Sequence, residues 1–337
     1  MVGCLLRLPS MARVLSGIQP SGDLHLGNYF GAVKNWVAAQ DEADSYYCIV
    51  DLHALTLSID PEVLRRQTIE AACVLLAAGL DPNRCTLFIQ SHVPAHQQLT
   101  WLLECTATMG ELRRMTQFKD KGGGQESVRV GLFTYPILMA ADILLYGADE
   151  VPVGDDQRQH LELTREIALR FNNRYGEIFT VPTATIPAVG ARVMDLQHPE
   201  RKMSKSAPSP LGTVGILDEP SVIEKKIKKA VTDTDAEVRY DPTAKPGLSN
   251  LLSILAAATG EKPDELAGRY ERYGDLKADV AAALIESLAE LRDRYAMFSG
   301  DLAEVRRLLA VGAGHADSVA SETYARAATA VGLIAAN

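Results

Sequence analysis

The run Lys202-Met203-Ser204-Lys205-Ser206 sets two lysines three residues apart among small hydroxyl side chains, with Arg201 before it and Pro208 and Pro210 after it. Lysine heads at this spacing on a loop can converge on a polyanion, and the serines add short donors. Such a loop stabilises charge as it develops on a departing pyrophosphate, which is the main task in phosphoryl-type transfer. Far upstream, Ser16-Gly17-Ile18-Gln19-Pro20-Ser21-Gly22 leads into Leu24-His25-Leu26-Gly27-Asn28. A strand, a turn of Gly, Ser and Pro, and a helix start at Gly27 offer backbone N–H groups and a positive helix end to phosphate. His25 and Asn28 add donors without fixed charge. Singly, the first segment reads as an exposed basic loop and the second as an ordinary Gly-rich strand-to-helix turn. Together they bracket one anionic substrate.

Asp142 lies in an otherwise apolar stretch running from Val128 to Ala148, where an unpaired carboxylate would be costly. Tyr135, Met139 and Asp142 fall at i, i+4 and i+7 and share one helix face. Ionised Asp only accepts hydrogen bonds and indole only donates one, so this face suits a large ring carrying a single N–H. The plain structural alternative is a buried Asp paired with an arginine or a backbone amide. Gly154-Asp155-Asp156 follows a short strand and opens a helix holding Gln157 and His160. The adjacent carboxylates have no partner at ligand spacing, and neither do His92, His96 and His160, which read as structural or exposed. No protein-held metal is expected. His53, at a strand end, and Gln117 are further pocket candidates. Arg113, Arg114, Lys119 and Lys121 form one basic cluster, able to face a phosphate-bearing ligand. Lys225, Lys226, Lys228 and Lys229 form another, and such runs are usually solvated helix faces.

These side chains need a scaffold, and the hydrophobic pattern describes one. Compact runs rich in β-branched or aromatic residues predict strands at 13–18, 45–50, 86–90 and 150–153. Helices are predicted at 27–39, at 61–78 with Asp60 as N-cap and Pro61 at the first position, and at 95–109, 133–146 and 156–172. Strand–helix alternation with near-continuous apolar strands implies a parallel, doubly wound sheet that binds ligands at the carboxyl ends of its strands. Residues 119–127 form a Gly-rich loop without P-loop spacing. From about 207 the pattern is helix upon helix, at 221–231, 247–259, 263–273, 276–309 and 316–333. The expected class is therefore α/β: an extension at 1–11, a sheet domain over 12–206 ending in the lysine loop, and an all-helical domain over 207–337.

The length of 337 residues accommodates that division, and 47% hydrophobic with 23% charged residues excludes a disordered or fibrous chain. A net charge of −9 taken alone argues against nucleic acid as a partner, while leaving room for a local basic patch. Five scattered cysteines without a CxxC pair fit a reducing cytoplasm. Arg129, Pro136 and Asp142 interrupt the long apolar stretch and exclude a membrane span there. Residues 1–10 are too short and too weakly apolar for a signal peptide, and Met11 offers a second start.

His25-Leu26-Gly27-Asn28 resembles the HIGH signature, and Lys202–Ser206 matches the KMSKS signature, of class I aminoacyl-tRNA synthetases. GIQPSG (17–22), MAADILLY (139–146) and VPVGDDQRQHLELTR (151–165) are similar to the bacterial-type tryptophanyl-tRNA synthetases within that class. The similarity runs from about residue 14 to the end. Asn28 stands where the general class has a second histidine, and Leu15 where an aromatic often sits. The resemblance implies a Rossmann-like catalytic domain, ATP and L-tryptophan as substrates, Mg²⁺ with the ATP, tRNA(Trp) as acceptor, a cytoplasmic homodimer, and anticodon reading by the helical domain. It also implies that ATP meets Gln19, Pro20, Ser21, Gly27, Asn28, Gly154, Asp155, Asp156, Val193, Lys202, Met203, Ser204, Lys205 and Ser206. Tryptophan would meet Asp142, Tyr135, Met139, Gln157, His53, Gln117, Val151 and Val153. Catalysis would rest on Lys202 and Lys205 gripping the departing phosphates, with His25 and Gln19 steering them.

A tyrosyl-tRNA synthetase shares this architecture, but residues 139–146 and 154–157 fit the tryptophan subgroup better. A small-molecule nucleotidyltransferase would need neither the helical domain nor the lysine loop. An inactive relative serving as a binding module would be expected to lack the signature lysines. No large insertion is available for an editing site, and tryptophan, the largest standard side chain, can be selected by pocket contacts alone.

Overall fold

The computed structural model describes residues 11–20, 22–116, 129–152, 154, 157–185, 192–204 and 209–335. Five strands, β1 (Arg13–Ile18), β2 (Asp44–Ile49), β3 (Thr86–Ile89), β4 (Glu150–Pro152) and β5 (Thr183–Thr185), form one sheet in the order β3-β2-β1-β4-β5. All pairings are parallel: β1 runs beside β2 from Arg13↔Asp44 to Ile18↔Ile49 and meets β4 at Val14↔Glu150. The strand order reverses between β1 and β4, so a crevice opens at their carboxyl ends.

After β1 come α1 (Leu26–Asn28), a π-helical turn (Tyr29–Val33) and α2 (Lys34–Ala39). The sheet half continues with α3 (Asp51–Ala54), α4 (Pro61–Ala78), α5 (Ala95–Glu104), α6 (Met109–Arg114), α7 (Val130–Leu145) and α8 (Arg158–Tyr175). The remainder is α9 (Pro220–Lys228), α10 (Pro246–Thr259), α11 (Pro263–Ala267), α12 (Tyr273–Ser287), α13 (Ala289–Gly300) and α14 (Leu302–Ala330). Helix α4 matches its expected bounds because both ends are written locally. Asp60 accepts from the Glu62 and Val63 N–H groups, and Gly79 closes the helix at φ 114°.

Elsewhere tertiary and capping effects redraw the expected boundaries. The helix expected over 95–109 stops at Glu104, and Thr108 starts α6 with a capping box to Glu111. The helix expected over 276–309 is three helices, broken at Leu288 and at Asp301, whose carboxylate accepts from the Glu304 N–H at 3.1 Å. The helix expected over 263–273 ends at Ala267. Strand β5 was not expected, since its three residues Thr183-Ala184-Thr185 form a short, largely exposed edge.

Strand β2 shows why the sheet is covered on both faces. Tyr47 and Ile49 join one buried cluster, whereas Tyr46 and Cys48 join the other, as the period of two requires. The first cluster continues without a break into the helical part through Ile223, Leu248, Leu251 and Leu284. Helix α14 then returns to the sheet on a face of small residues, with Gly312, Ala313, Ala316, Ala320 and Ala327 buried. Gly312 sits so close to β3 that a Cβ would lie 2.0 Å from the Leu87 carbonyl oxygen, whereas Gly314 has nothing within 4 Å. Gly312→Ala should therefore cost about 1–3 kcal/mol through overpacking. Gly314→Ala, by removing backbone freedom from an exposed helix position, should be neutral or stabilise by up to about 1 kcal/mol. Thermal unfolding of the two variants checks this, with opposite shifts expected. No helix among the described residues is long and apolar enough to cross a membrane.

Candidate active site

A cavity of about 390 Å³ lies where the strand order reverses. Strand β1 and its extension bring Leu15, Gly17 and Gln19 to it; β2 and α3 bring Val50 and His53; β4 brings Val151, and Gly154 lies beyond its end. Helix α7 presents Tyr135, Met139 and Asp142, the face expected from their spacing, and Gln157 completes the wall. Leu15 thus fills a pocket position with an aliphatic side chain.

Asp142, only 4% exposed, accepts three hydrogen bonds. His53 Nε2 reaches Oδ2 at 2.8 Å, while Gln90 Nε2 and His96 Nδ1 reach Oδ1 at 2.7 and 2.6 Å. The Tyr146 hydroxyl lies 2.8 Å from His96 Nε2, and burial raises the phenol well above its ordinary value. Tyr146 therefore donates to Nε2, which leaves the proton of His96 on Nδ1, facing Asp142. Burial opposes the charge on Asp142, but hydrogen bonds from His53 and His96 outweigh it and hold the carboxyl well below the usual carboxylate range. A carboxylate offers about four acceptor positions. Three are taken among the described residues, two on Oδ1 and one on Oδ2, and Asp142 lines the cavity. The Tyr135 hydroxyl, whose pKa burial pushes up to about 12, lies 2.6 Å from His160 Nε2.

Two members of this network, Gln90 and Tyr146, were not singled out by sequence reasoning, and His96, read there as structural or exposed, is a buried structural partner of Asp142. Tyr146 carried a signal, since it lies four residues after Asp142 and caps the end of the same helix. Gln90 is a lone polar residue ending the apolar run of β3. His96 carried none, because its contact with Asp142 is made between two helices 46 residues apart. His160 and His96 are buried and His92 is exposed.

Beside the cavity, His25 and Asn28 build the turn that they help to form. His25 Nδ1 accepts from the Gly27 N–H at 3.1 Å, and Asn28 Oδ1 accepts from the His25 N–H at 3.2 Å. This turn is tied to the chain beyond the lysine loop: Leu26 N donates to Val214 O and Ile216 N to Leu24 O, both at 3.0 Å. Residues 193–203 form a short antiparallel ribbon in which Met194 faces Lys202. Met203 N donates to Val193 O at 3.0 Å, and Asp195 N to Arg201 O at 2.9 Å. Val193 and Met203 bury their side chains in the core. Lys202 is exposed and Pro20 buried, and Thr213 Oγ1 donates to Ser204 O at 3.0 Å.

The structure thus gathers Gln19, His53, Tyr135, Met139, Asp142, Val151, Gly154 and Gln157 around one cavity, while Pro20, His25, Gly27, Asn28, Val193, Lys202, Met203 and Ser204 lie outside its lining. Ser21, Gln117, Val153, Asp155, Asp156, Lys205 and Ser206 lie outside the described residues, as do Lys119 and Lys121. Among the described residues no group of three or more His, Cys, Asp or Glu side chains converges as a metal site.

A parallel sheet with its cavity at the switch point, flanked by a helix-opening turn and a lysine ribbon, is the arrangement of a nucleotide-dependent synthetase. The chain matches the family described as tRNA synthetases class I (W and Y) over residues 10–289 and belongs to it. It is 52% identical over 326 residues to the tryptophan–tRNA ligase of Caldanaerobacter subterraneus subsp. tengcongensis, an alignment covering 96% of this chain and 99% of that one. Among solved structures, the tryptophanyl-tRNA synthetase from Mycoplasma pneumoniae is similar with a TM-score of 0.88 and 35% identity, over 96% of this chain and 98% of that one. The tryptophanyl-tRNA synthetase from Campylobacter jejuni complexed with ADP and tryptophan is similar with a TM-score of 0.83 and 38% identity, over 95% of this chain and 100% of that one.

Proposed function

We propose that this chain activates L-tryptophan with ATP and transfers it to the 3′-terminal adenosine of tRNA(Trp). The observation that carries the tryptophan reading is Asp142: a buried, ionised acceptor with one position remaining, set beside Tyr135 and Met139 on the wall of the cavity. Indole brings the one N–H that such a site requires. Tyrosine would bring a hydroxyl of different reach to the same carboxylate.

In the first step the tryptophan carboxylate attacks the α-phosphorus of ATP in line, and pyrophosphate leaves. Little covalent chemistry falls to the protein, so positioning and charge stabilisation dominate. Gln19 and Gly154, on the cavity wall, are read as meeting the nucleotide. Lys202 and Lys205 are read as gripping the departing phosphates, with the His25–Asn28 turn on the opposite side. Mg²⁺ is read as a companion of the ATP phosphates. In the second step a ribose hydroxyl of the tRNA displaces AMP. The helices beyond residue 207 are read as the anticodon-binding part, and the enzyme as a cytoplasmic homodimer. Four described cysteines, Cys48, Cys73, Cys85 and Cys105, are unpaired, which fits a reducing compartment.

Amino-acid-dependent ATP–pyrophosphate exchange tests this directly. The expected kcat/KM with tryptophan exceeds that with tyrosine by at least about 10³-fold, because a polar site left mispaired rejects its competitor strongly. Faster exchange with tyrosine would reassign the substrate.

A further inference from the structure

Helix α10 carries a buried asparagine with no counterpart in the proposed mechanism. Asn250 is 4% exposed. Its Oδ1 accepts from the Met194 N–H at 2.9 Å, and its Nδ2 donates to the Met194 carbonyl, also at 2.9 Å. The ribbon geometry explains why both groups are available. Hydrogen bonds join Met203 to Val193 and Asp195 to Arg201, so Met194 and Lys202, facing each other between them, form a non-hydrogen-bonded pair. The N–H and C=O of Met194 therefore point away from Lys202, and Asn250 takes both. A single amide side chain does what the edge of a neighbouring strand would do.

The seat of this amide is itself anchored. Lys245, at the N-cap of α10, is 1% exposed and holds its ammonium between Asp233, Asp235 and the Tyr273 hydroxyl. The chain between α9 and α10 touches the ribbon again: Val231 N donates to Leu196 O at 2.8 Å, and Gln197 Nε2 to Lys229 O at 2.9 Å. These outer bonds fix where the ribbon lies. Among the described residues, Asn250 alone bonds the residue directly across from Lys202.

We propose that Asn250 is a positioning residue for the first signature lysine, setting the register and height of the Met194–Lys202 pair and hence where the Lys202 ammonium stands against the departing phosphates. The proposal rests on the synthetase reading for its chemistry but not for its geometry, so the test has one readout of each kind. Asn250→Ala should slow tryptophan-dependent ATP–pyrophosphate exchange by about 10- to 100-fold in kcat, the scale of a misplaced catalytic group, with KM for tryptophan within about twofold. Tryptic cleavage after Arg201 and Lys202, mapped by mass spectrometry, should accelerate by about tenfold, as expected for a locally freed segment. Ser249→Ala is the control: Ser249 sits beside Asn250 in α10, and its hydroxyl accepts from the Asp241 N–H at 2.9 Å without touching the ribbon. Its exchange rate and cleavage pattern should match the wild type. Should the alanine variant not fold, Asn250→Asp carries the same test, because it keeps the acceptor for Met194 N–H and loses the donor. Wild-type exchange and cleavage in the Asn250 variants would overturn the proposal, as would equal losses in Asn250→Ala and Ser249→Ala. Absence of exchange in the wild type would overturn the substrate reading instead, and the cleavage comparison would still decide the role of Asn250 in the ribbon.

Discussion

Replacing Asp142 by alanine should abolish the preference for a ring N–H. The cleanest measurement pairs the variant with an analogue of tryptophan in which sulfur replaces the indole nitrogen. The wild type should prefer tryptophan to this analogue by about 10⁴-fold in kcat/KM for ATP–pyrophosphate exchange, since a site built to accept an N–H rejects the ligand lacking it. In Asp142→Ala the two substrates should differ by less than about tenfold. The comparison within each protein cancels the general weakening expected when a buried, hydrogen-bonded carboxylate is removed. That weakening should be large, about 3–5 kcal/mol, because His53, Gln90 and His96 lose their common acceptor. The sign with pH follows from the depressed pKa of Asp142. Its contribution to stability is complete above the unfolded-state value of about 3.9 and is lost as pH falls through the lower folded-state value. The acid limb of the wild-type unfolding curve should accordingly be steeper than that of the variant. A persistent preference for tryptophan in Asp142→Ala would show that the N–H is read elsewhere.

Lys205→Ala should slow adenylate formation by about 10²–10³-fold, the usual loss for one donor aimed at charge that develops in the transition state. Tryptophan affinity, measured by equilibrium binding without ATP, should stay within about twofold. The asymmetry is the diagnostic part. Pyrophosphate acquires its extra charge only as the bond to the α-phosphorus breaks, so a lysine that grips it contributes little before that moment. Lys225→Ala, which removes an equal charge from the exposed side of α9, should leave the rate unchanged. Parallel losses of rate and tryptophan affinity in Lys205→Ala would contradict a role confined to the departing phosphates.

How much of this was legible in the residues depends on how local each signal is. Strand β1 was read at its observed bounds, and α4 likewise, because Asp60, Pro61 and Gly79 mark its ends within the segment itself. The break at Asp301 was not, although an aspartate can always cap. A helical pattern runs through it, and only the packing of α14 against the sheet makes the turn preferable. The cavity shows the same division. Asp142 announces itself as an acid in an apolar helix, and its spacing from Met139 and Tyr135 predicts their shared face. Gln90, His96 and Asn250 do not, since each acquires its meaning from an atom on another element. Val193 and Met203 were assigned to ATP by resemblance, and the structure adds that their side chains belong to the core.

The docking of Gly312 against Leu87 bears on how the molecule is made. A ribosome exports β3 long before residues 302–330, so the sheet emerges without the helix that lies along it. Until residues 302–330 follow, the apolar surface that Ala313, Ala316 and Ala320 will cover faces solvent or a chaperone. Contacts of such long sequence separation form late and slow folding, and nascent chains that await them are the ones prone to stick to each other. Synthesis of this protein therefore has its vulnerable interval between the emergence of β3 and that of α14, after the catalytic crevice has taken shape and before its back has been closed.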